Sequence, residues 1–180
     1  IVKYGIWKDG LLQQDSTALG DKVLVDLEFE PQEGETVVEL RLALSYASLD
    51  NARMNLETET LNRPFETIQQ DSANAWEEKL SRIRIEGGTD RERRTFYTAL
   101  SRAFQMPTTF NDTNGEYRGF DKEIHSASGF TYYTDFSLWD TFRTVHPLYN
   151  LIARPEQRDM MVSLLEMAKA FPASEFHGYG

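Results

Sequence analysis

Hydrophobic and polar positions alternate near the start of the chain. Val23, Val25, Leu27 and Phe29 are interleaved with Asp26, Glu28 and Glu30, the two-residue period of a strand with one face toward a core. Glu33-Gly34-Glu35 marks a turn. Val37, Val38, Leu40, Leu42, Leu44 and Tyr46 then predict a second strand with mainly even-numbered residues inward. Lys8-Asp9-Gly10, between the apolar stretches 4–7 and 11–12, is a hairpin-turn signal. These strands are too few to close a sandwich, so residues 1–47 read as a truncated sheet.

Beyond residue 47 the period lengthens to 3.6. Residues 48–61 predict a helix with Leu49, Ala52, Met54 and Leu56 partly facing in. From Pro64, a favourable first-turn residue, Phe65, Ile68, Trp76, Leu80 and Ile83 form one stripe, which Gly87-Gly88 ends. Thr89-Asp90-Arg91-Glu92 is a capping-box pattern, followed by Phe96, Tyr97, Leu100, Ala103 and Phe104 as a buried face. Residues 107–136 break the rhythm. They hold Asn114-Gly115, a strong hairpin signal between Phe110 and Tyr117, and the aromatic run Phe130-Thr131-Tyr132-Tyr133-Thr134. Helices resume at 137–153, with Pro147 expected to kink or end the first, and at 155–170, led by Met160, Met161, Leu164, Leu165 and Met167. The fold class is α+β.

Composition narrows the function. A formal net charge of −10 excludes a general nucleic-acid or anionic-membrane binder, because no basic field would attract a polyanion. With no cysteine, disulfides and thiolate metal sites are ruled out. No apolar run of about 18 residues is present, so no transmembrane helix is expected. The chain opens IVKYGIWKDG and closes AFPASEFHGYG, which reads as a piece of a longer polypeptide.

Candidate chemistry centres on residues 136–143, FSLWDTFR. Ser137-Leu138-Trp139-Asp140 matches a capping box, with Arg143 at i+3 as a partner for Asp140 and with Trp139, Phe142, Val145, Tyr149 and Ile152 as the buried stripe. Asp140 can therefore cap a helix, contact a substrate, or do both. His125, His146 and His177 lack the paired spacing of a metal site. Asp112-Thr113-Asn114-Gly115-Glu116 lacks the acidic alternation of a calcium loop and reads as a turn. The aromatic run around Tyr132 is either a hairpin core or an exposed platform. The latter would suit sugars, whose C–H faces stack on rings while their hydroxyls bind charged groups.

The ordered set FYTALSRAF (96–104), Asp112, Gly115, Tyr117-Arg118-Gly119, Asp121, the run from Gly129 to Thr134 and FSLWDTFR resembles glycoside hydrolase family 92, the exo-acting α-mannosidases. Upstream, VVELRLALSYAS followed by Asn55, Trp76, Leu80 and an Arg-Ile-Arg-Ile strand is similar to that family's passage between domains. The resemblance implies that residues 1–47 end an N-terminal β-sandwich, 48–88 are linker helices, and 89–180 begin an (α/α)6 barrel. It implies inverting, calcium-assisted removal of terminal α-linked mannose from glycans. The general acid and base, and the calcium ligands, are expected downstream of this chain, which alone would be inactive. It implies a substrate-binding role for Asp140, with Trp139, Arg143, Tyr132, Glu175 and His177 around it. The tail departs from the family pattern, since Ser174 stands where the family has Trp. A periplasmic or secreted location follows by the same analogy, and the partners implied are mannose-containing glycans and the rest of the parent polypeptide. Two other readings stay open: a calcium-free glycosidase of another (α/α)6 family, and a non-catalytic carbohydrate-binding module.

Overall fold

The signal at Asp9-Gly10 forms the turn its spacing predicts. In the computed structural model, which describes residues 3–14, 17–30 and 37–170, β1 (Lys3–Lys8) and β2 (Leu11–Gln13) pair antiparallel with Lys8 opposite Leu11. Asp9 and Gly10 take φ of 52° and 81°, the double left-handed geometry that matches a two-residue turn to strand twist. β3 (Val23–Glu28) pairs along the other side of β1, giving the order β2-β1-β3. All six residues of β3 are exposed, so the alternation of Val23, Val25 and Leu27 does not correspond to a buried face. The chain divides into two compact units, Ile1–Leu40 and Arg41–Gly180, and residues 41–47 group with the second. The turn expected at residues 33–35 lies outside the described residues.

The predicted second strand does not form. Residues 37–46 are in no ladder, and α1 (Leu49–Glu59) engages the groups a ladder would use. Asn55 Nδ2 donates to the Leu44 carbonyl at 3.0 Å. The Arg41 guanidinium donates to the carbonyls of Thr60 and, at 2.9 Å, Arg63, placing a cation where helix-end carbonyls lack partners. Ser48 caps α1 by accepting from Asn51 N at 3.0 Å. The buried residues of α1 are Asn51 and Asn55, whereas Leu49 is exposed and Ala52, Met54 and Leu56 are half-buried.

α2 (Phe65–Leu80) follows Pro64, which occupies the N-cap position, and buries no residue. Phe65 and Trp76 of the expected stripe are exposed. The strand expected at 82–85 is instead turn and coil. α3 (Asp90–Ala103) carries the predicted capping box: Glu92 N donates to Thr89 Oγ1 at 3.3 Å and Thr89 N to Glu92 Oε2 at 2.7 Å. Leu100 is its buried residue, with Phe96, Tyr97, Ala103 and Phe104 half-buried.

Asn114-Gly115 sits in a turn closed by Gly115 N donating to Asp112 O at 2.8 Å, yet the strands pair differently from the expectation. β4 (Thr108–Thr109) pairs with β7 (Tyr133–Thr134), and β5 (Glu116–Arg118) pairs with β6 (Ile124–Ser126). The chain thus makes a hairpin within a hairpin. α4 (Leu138–Thr141), α5 (Val145–Ile152) and α6 (Arg154–Ala170) complete the second unit. Among the described residues its core has two clusters. Tyr133, Tyr149, Ala153 and Met160 form one, and Tyr117, Tyr132 and Met167 the other; Phe136 packs against both. Met160, Ser163 and Met167 give α6 its buried stripe, while Met161 and Leu165 face out. The fully buried Ser163 pins the aromatic run, accepting from Tyr133 N at 2.9 Å and donating to Asp159 O at 2.7 Å.

Candidate functional site

Why FSLWDTFR does not run on into one long helix follows from Pro147. Proline has no N–H to give to the carbonyl four residues back, Arg143, and its ring collides with that carbonyl. The helix therefore breaks at Phe142–Thr144 and restarts at Val145, which puts Pro147 in the first turn of α5, where no donor is needed. This is earlier than a break at Pro147 itself. It leaves α4 as one turn, closed by Thr141 N to Ser137 O at 3.1 Å and Phe142 N to Leu138 O at 3.1 Å.

On that turn the capping box fails to form. Ser137 makes no cap bond to the backbone. Its hydroxyl instead donates to Asp140 Oδ2 at 2.6 Å, the short distance of a hydroxyl bound to a charged acceptor. Among the described residues this is the one hydrogen bond to the Asp140 carboxylate, and Asp140 is exposed. The expected Asp140–Arg143 pair is replaced by stacking. Arg143 Cζ lies 5.5 Å from the Trp139 ring centroid and 5.3 Å from that of Phe142, within cation–π range. Trp139 is 76% exposed and Phe142 56%, so the first half of the predicted buried stripe is surface, while Tyr149 is buried and Val145 and Ile152 half-buried. The structure thus gathers Trp139, Asp140 and Arg143 into one exposed patch: a carboxylate, a guanidinium and a ring face.

Tyr132 lies elsewhere. At 2% exposure it stacks on Tyr117 with centroids 3.7 Å apart and planes 12° from parallel. Burial pushes its hydroxyl up to about 12, so it stays protonated at neutral pH. As an exposed sugar platform Tyr132 is corrected, because the hairpin turns its ring into the core; its edge still lines a notch of about 180 Å³ shared with Phe110, Arg118, Gly119, Phe120 and Thr134. Glu175 and His177 lie outside the described residues. His146 is buried, with Nδ1 2.9 Å from Gln157 Oε1. His125 lies beside Asp121, with Nε2 at 2.9 and 3.0 Å from the two carboxylate oxygens.

Two constellations escape a reading by apolar period. One is the His125–Asp121 pair, set four residues apart across a turn. The other is a buried polar cluster: Asp112 Oδ2 accepts from Ser45 Oγ at 2.6 Å and Asn51 Nδ2 at 2.8 Å, and Oδ1 accepts from Asn55 Nδ2 at 2.8 Å. Asn51 and Asn55, one helical turn apart, were the available signal, since polar residues at that spacing share a face. No group of three or more His, Asp or Glu side chains among the described residues could hold a metal ion. No helix among them is long and apolar enough to cross a membrane.

Known proteins give this geometry a context. Residues 51–178 match the model of the glycosyl hydrolase family 92 catalytic domain. A family 92 α-mannosidase from Bacteroides thetaiotaomicron is similar over 92% of this chain and 23% of its own, at 28% identity and a TM-score of 0.74. An inverting mannosidase of the same family and species is similar over 93% of this chain and 24% of its own, at 25% identity and a TM-score of 0.69. A secreted, uncharacterized glycosidase of Arthroderma benhamiae is 35% identical over 85 residues, 45% of this chain and 11% of that protein. The chain thus spans less than a quarter of the length of these relatives. The matched segment covers most of the chain and takes in α1 from Asn51 onward, the β4–β7 and β5–β6 hairpins and the Trp139–Asp140–Arg143 patch, and on that ground the chain belongs to glycosyl hydrolase family 92.

Proposed function

We propose that this chain forms part of an α-mannosidase that removes terminal α-linked mannose from glycans, and that Trp139, Asp140 and Arg143 contact the sugar. The observation that carries the reading is the Asp140 carboxylate, held by Ser137 on one oxygen and open to solvent, with Arg143 three residues on stacked over Trp139. A carboxylate of this kind accepts from two neighbouring sugar hydroxyls, while the guanidinium donates to a third oxygen. The Trp139 face supplies a surface for ring C–H groups.

The reaction proposed is inverting. One carboxylic acid protonates the leaving oxygen and a second carboxylate activates water, with room for that water between them. Asp140 is assigned to holding substrate, and the acid and base to parts of the enzyme outside this chain. Calcium assistance belongs to the same proposal, with the ion's ligands assigned to parts of the enzyme outside this chain, since no group of three or more His, Asp or Glu side chains among the described residues could hold it. A secreted location fits the glycan substrate and the secreted Arthroderma glycosidase.

The test is titration of the chain with a mannose disaccharide, followed by calorimetry or NMR. Saturable binding at millimolar concentration or tighter is expected, weakened by Asp140→Ala by about tenfold, the worth of one charge-assisted hydrogen bond. Unchanged affinity in a folded Asp140→Ala chain would remove Asp140 from the site.

A further inference from the structure

We propose that Asp112 is a positioning residue: it joins α1 to the long hairpin and thereby sets the placement of the Trp139–Asp140 turn. The proposal rests on the sugar-site reading for its functional meaning, but its geometry stands apart from it.

Asp112 is 7% exposed and has no cation among its partners in the described residues. A buried carboxylate is costly unless its lone pairs are filled. Here Ser45, Asn51 and Asn55 fill both oxygens. The two asparagines are also committed elsewhere. Asn51 Nδ2 donates to Glu116 Oε2 at 2.8 Å, and Asn55 Oδ1 accepts from Thr113 N at 3.0 Å and Thr113 Oγ1 at 2.9 Å. One helix face therefore recognises the whole turn 112–116, and each amide can satisfy its partners in one orientation.

From this joint a short path of bonds leads to the site. Asn111, the next residue back, accepts from Tyr132 N at 2.9 Å, and Phe110 N donates to Tyr132 O at 2.8 Å. The ladder continues with Thr109 opposite Tyr133 and Thr108 opposite Thr134. Asp135 follows in the left-handed region, at φ 60°, a conformation uncommon for a residue with a side chain. It reverses the chain so that Phe136 enters both core clusters and Ser137 opens α4. Between the last ladder pair and Ser137 this path runs through Asp135 and Phe136 alone.

Replacing Asp112 with Asn keeps the volume but gives the site a donor. Whichever way that amide lies, its NH2 faces Asn55 on one side or Asn51 and Ser45 on the other, so two donors meet in a buried space. The turn must then move.

The experiment labels the three tryptophans of the chain with 5-fluorotryptophan and assigns Trp139 by Trp139→Phe. Asp112→Asn and, independently, Asn111→Ala are expected to shift the Trp139 resonance and to weaken mannoside binding about tenfold, because α4 buries no side chain of its own and depends on the hairpin for its placement. Leu100→Ala, destabilising but off the path, is expected to leave that resonance in place. Should Asp112→Asn not fold, Asn111→Ala carries the test, because it removes the side-chain bond to Tyr132 N while leaving the Phe110–Tyr132 backbone bond and the Asp112 carboxylate intact. An unmoved Trp139 signal in folded Asn111→Ala, or an equal shift in Leu100→Ala, overturns the proposal. If the unaltered chain binds no mannoside, the sugar-site reading fails, and the Trp139 resonance still decides the positioning role.

Discussion

Gly119 shows what a single missing methyl group permits. A Cβ there would lie 2.5 Å from Asp121 Oδ1 and 2.8 Å from His125 Cδ2, so the His125–Asp121 pair closes over a position that only glycine can fill. The His125 ring cannot easily retreat, because it stacks on Tyr117 with centroids 5.6 Å apart. Hydrogen bonds from Glu123 N and His125 hold the Asp121 carboxyl below its ordinary range against the opposing effect of burial. Gly119→Ala is therefore expected to break the pair and cost ~1–2 kcal/mol by overpacking, read as lost ring-current shift on the His125 ring protons and a lower unfolding midpoint. Retention of both would mean that the tip of the β5–β6 hairpin yields freely.

At the scale of elements, the decisive residue for α4 and α5 is Pro147. Restoring an N–H with Pro147→Ala lets the bond to the Arg143 carbonyl form and removes the ring clash, so α4 and α5 are expected to fuse across 142–144. Far-UV circular dichroism would gain helical signal and Asp140 would turn away from its present direction, lowering mannoside affinity; an unchanged spectrum would place the cause of the break elsewhere. The same element scale shows where sequence was legible. Capping at Thr89 and the Asp9-Gly10 turn depend on residues within four positions of each other, and both formed as their patterns predict; the α6 stripe kept Met160 and Met167, but Ser163 was buried where Met161 and Leu165 were expected. Residues 37–46 did not form their strand, because a strand needs a partner from afar, and here Asn55 of α1 took up the Leu44 carbonyl while Asp112 took up the Ser45 hydroxyl. The cap at Ser137 failed for a related reason: a carboxylate three residues on competed for the hydroxyl and won. For the candidate site, Asp140, Trp139 and Arg143 could be picked from sequence, but their exposure could not, since Trp139 and Phe142 have the period of a core stripe. Asn51 and Asn55 were hidden because burial of an amide depends on what it meets.

Across the second unit as a whole, α2 and α6 are joined by charge rather than by apolar packing. Glu156 takes Lys79 and, at 2.8 Å, Arg82, while Arg82 also donates to the Ile152 carbonyl at 3.2 Å. Burial pushes the Glu156 carboxyl up, but the bonds from Arg82 and Lys79 outweigh it and bring it down to about 2. A folded value below the unfolded one means that the contribution is present above the ordinary carboxylate range and is lost as pH falls from about 4.5 toward 2. At neutral pH it is on the order of 3 kcal/mol. Acid unfolding of Glu156→Gln is expected to be shallower through that window and its stability at pH 7 lower; identical pH profiles for the two chains would deny Glu156 this role.

The single turn that carries Asp140 is bounded by a left-handed residue before it and a broken helix after it, and it buries none of its own side chains. Little apolar contact resists its opening, so its local free energy of ordering sits near the low end of the molecule. A ligand bridging Asp140 and Arg143 would have to supply that ordering itself. Contacts there convert to affinity at a discount, and a neighbouring segment that clamped α4 beforehand would raise affinity without touching the ligand. As the proposed sugar contact, α4 would then draw its strength from what lies beside it.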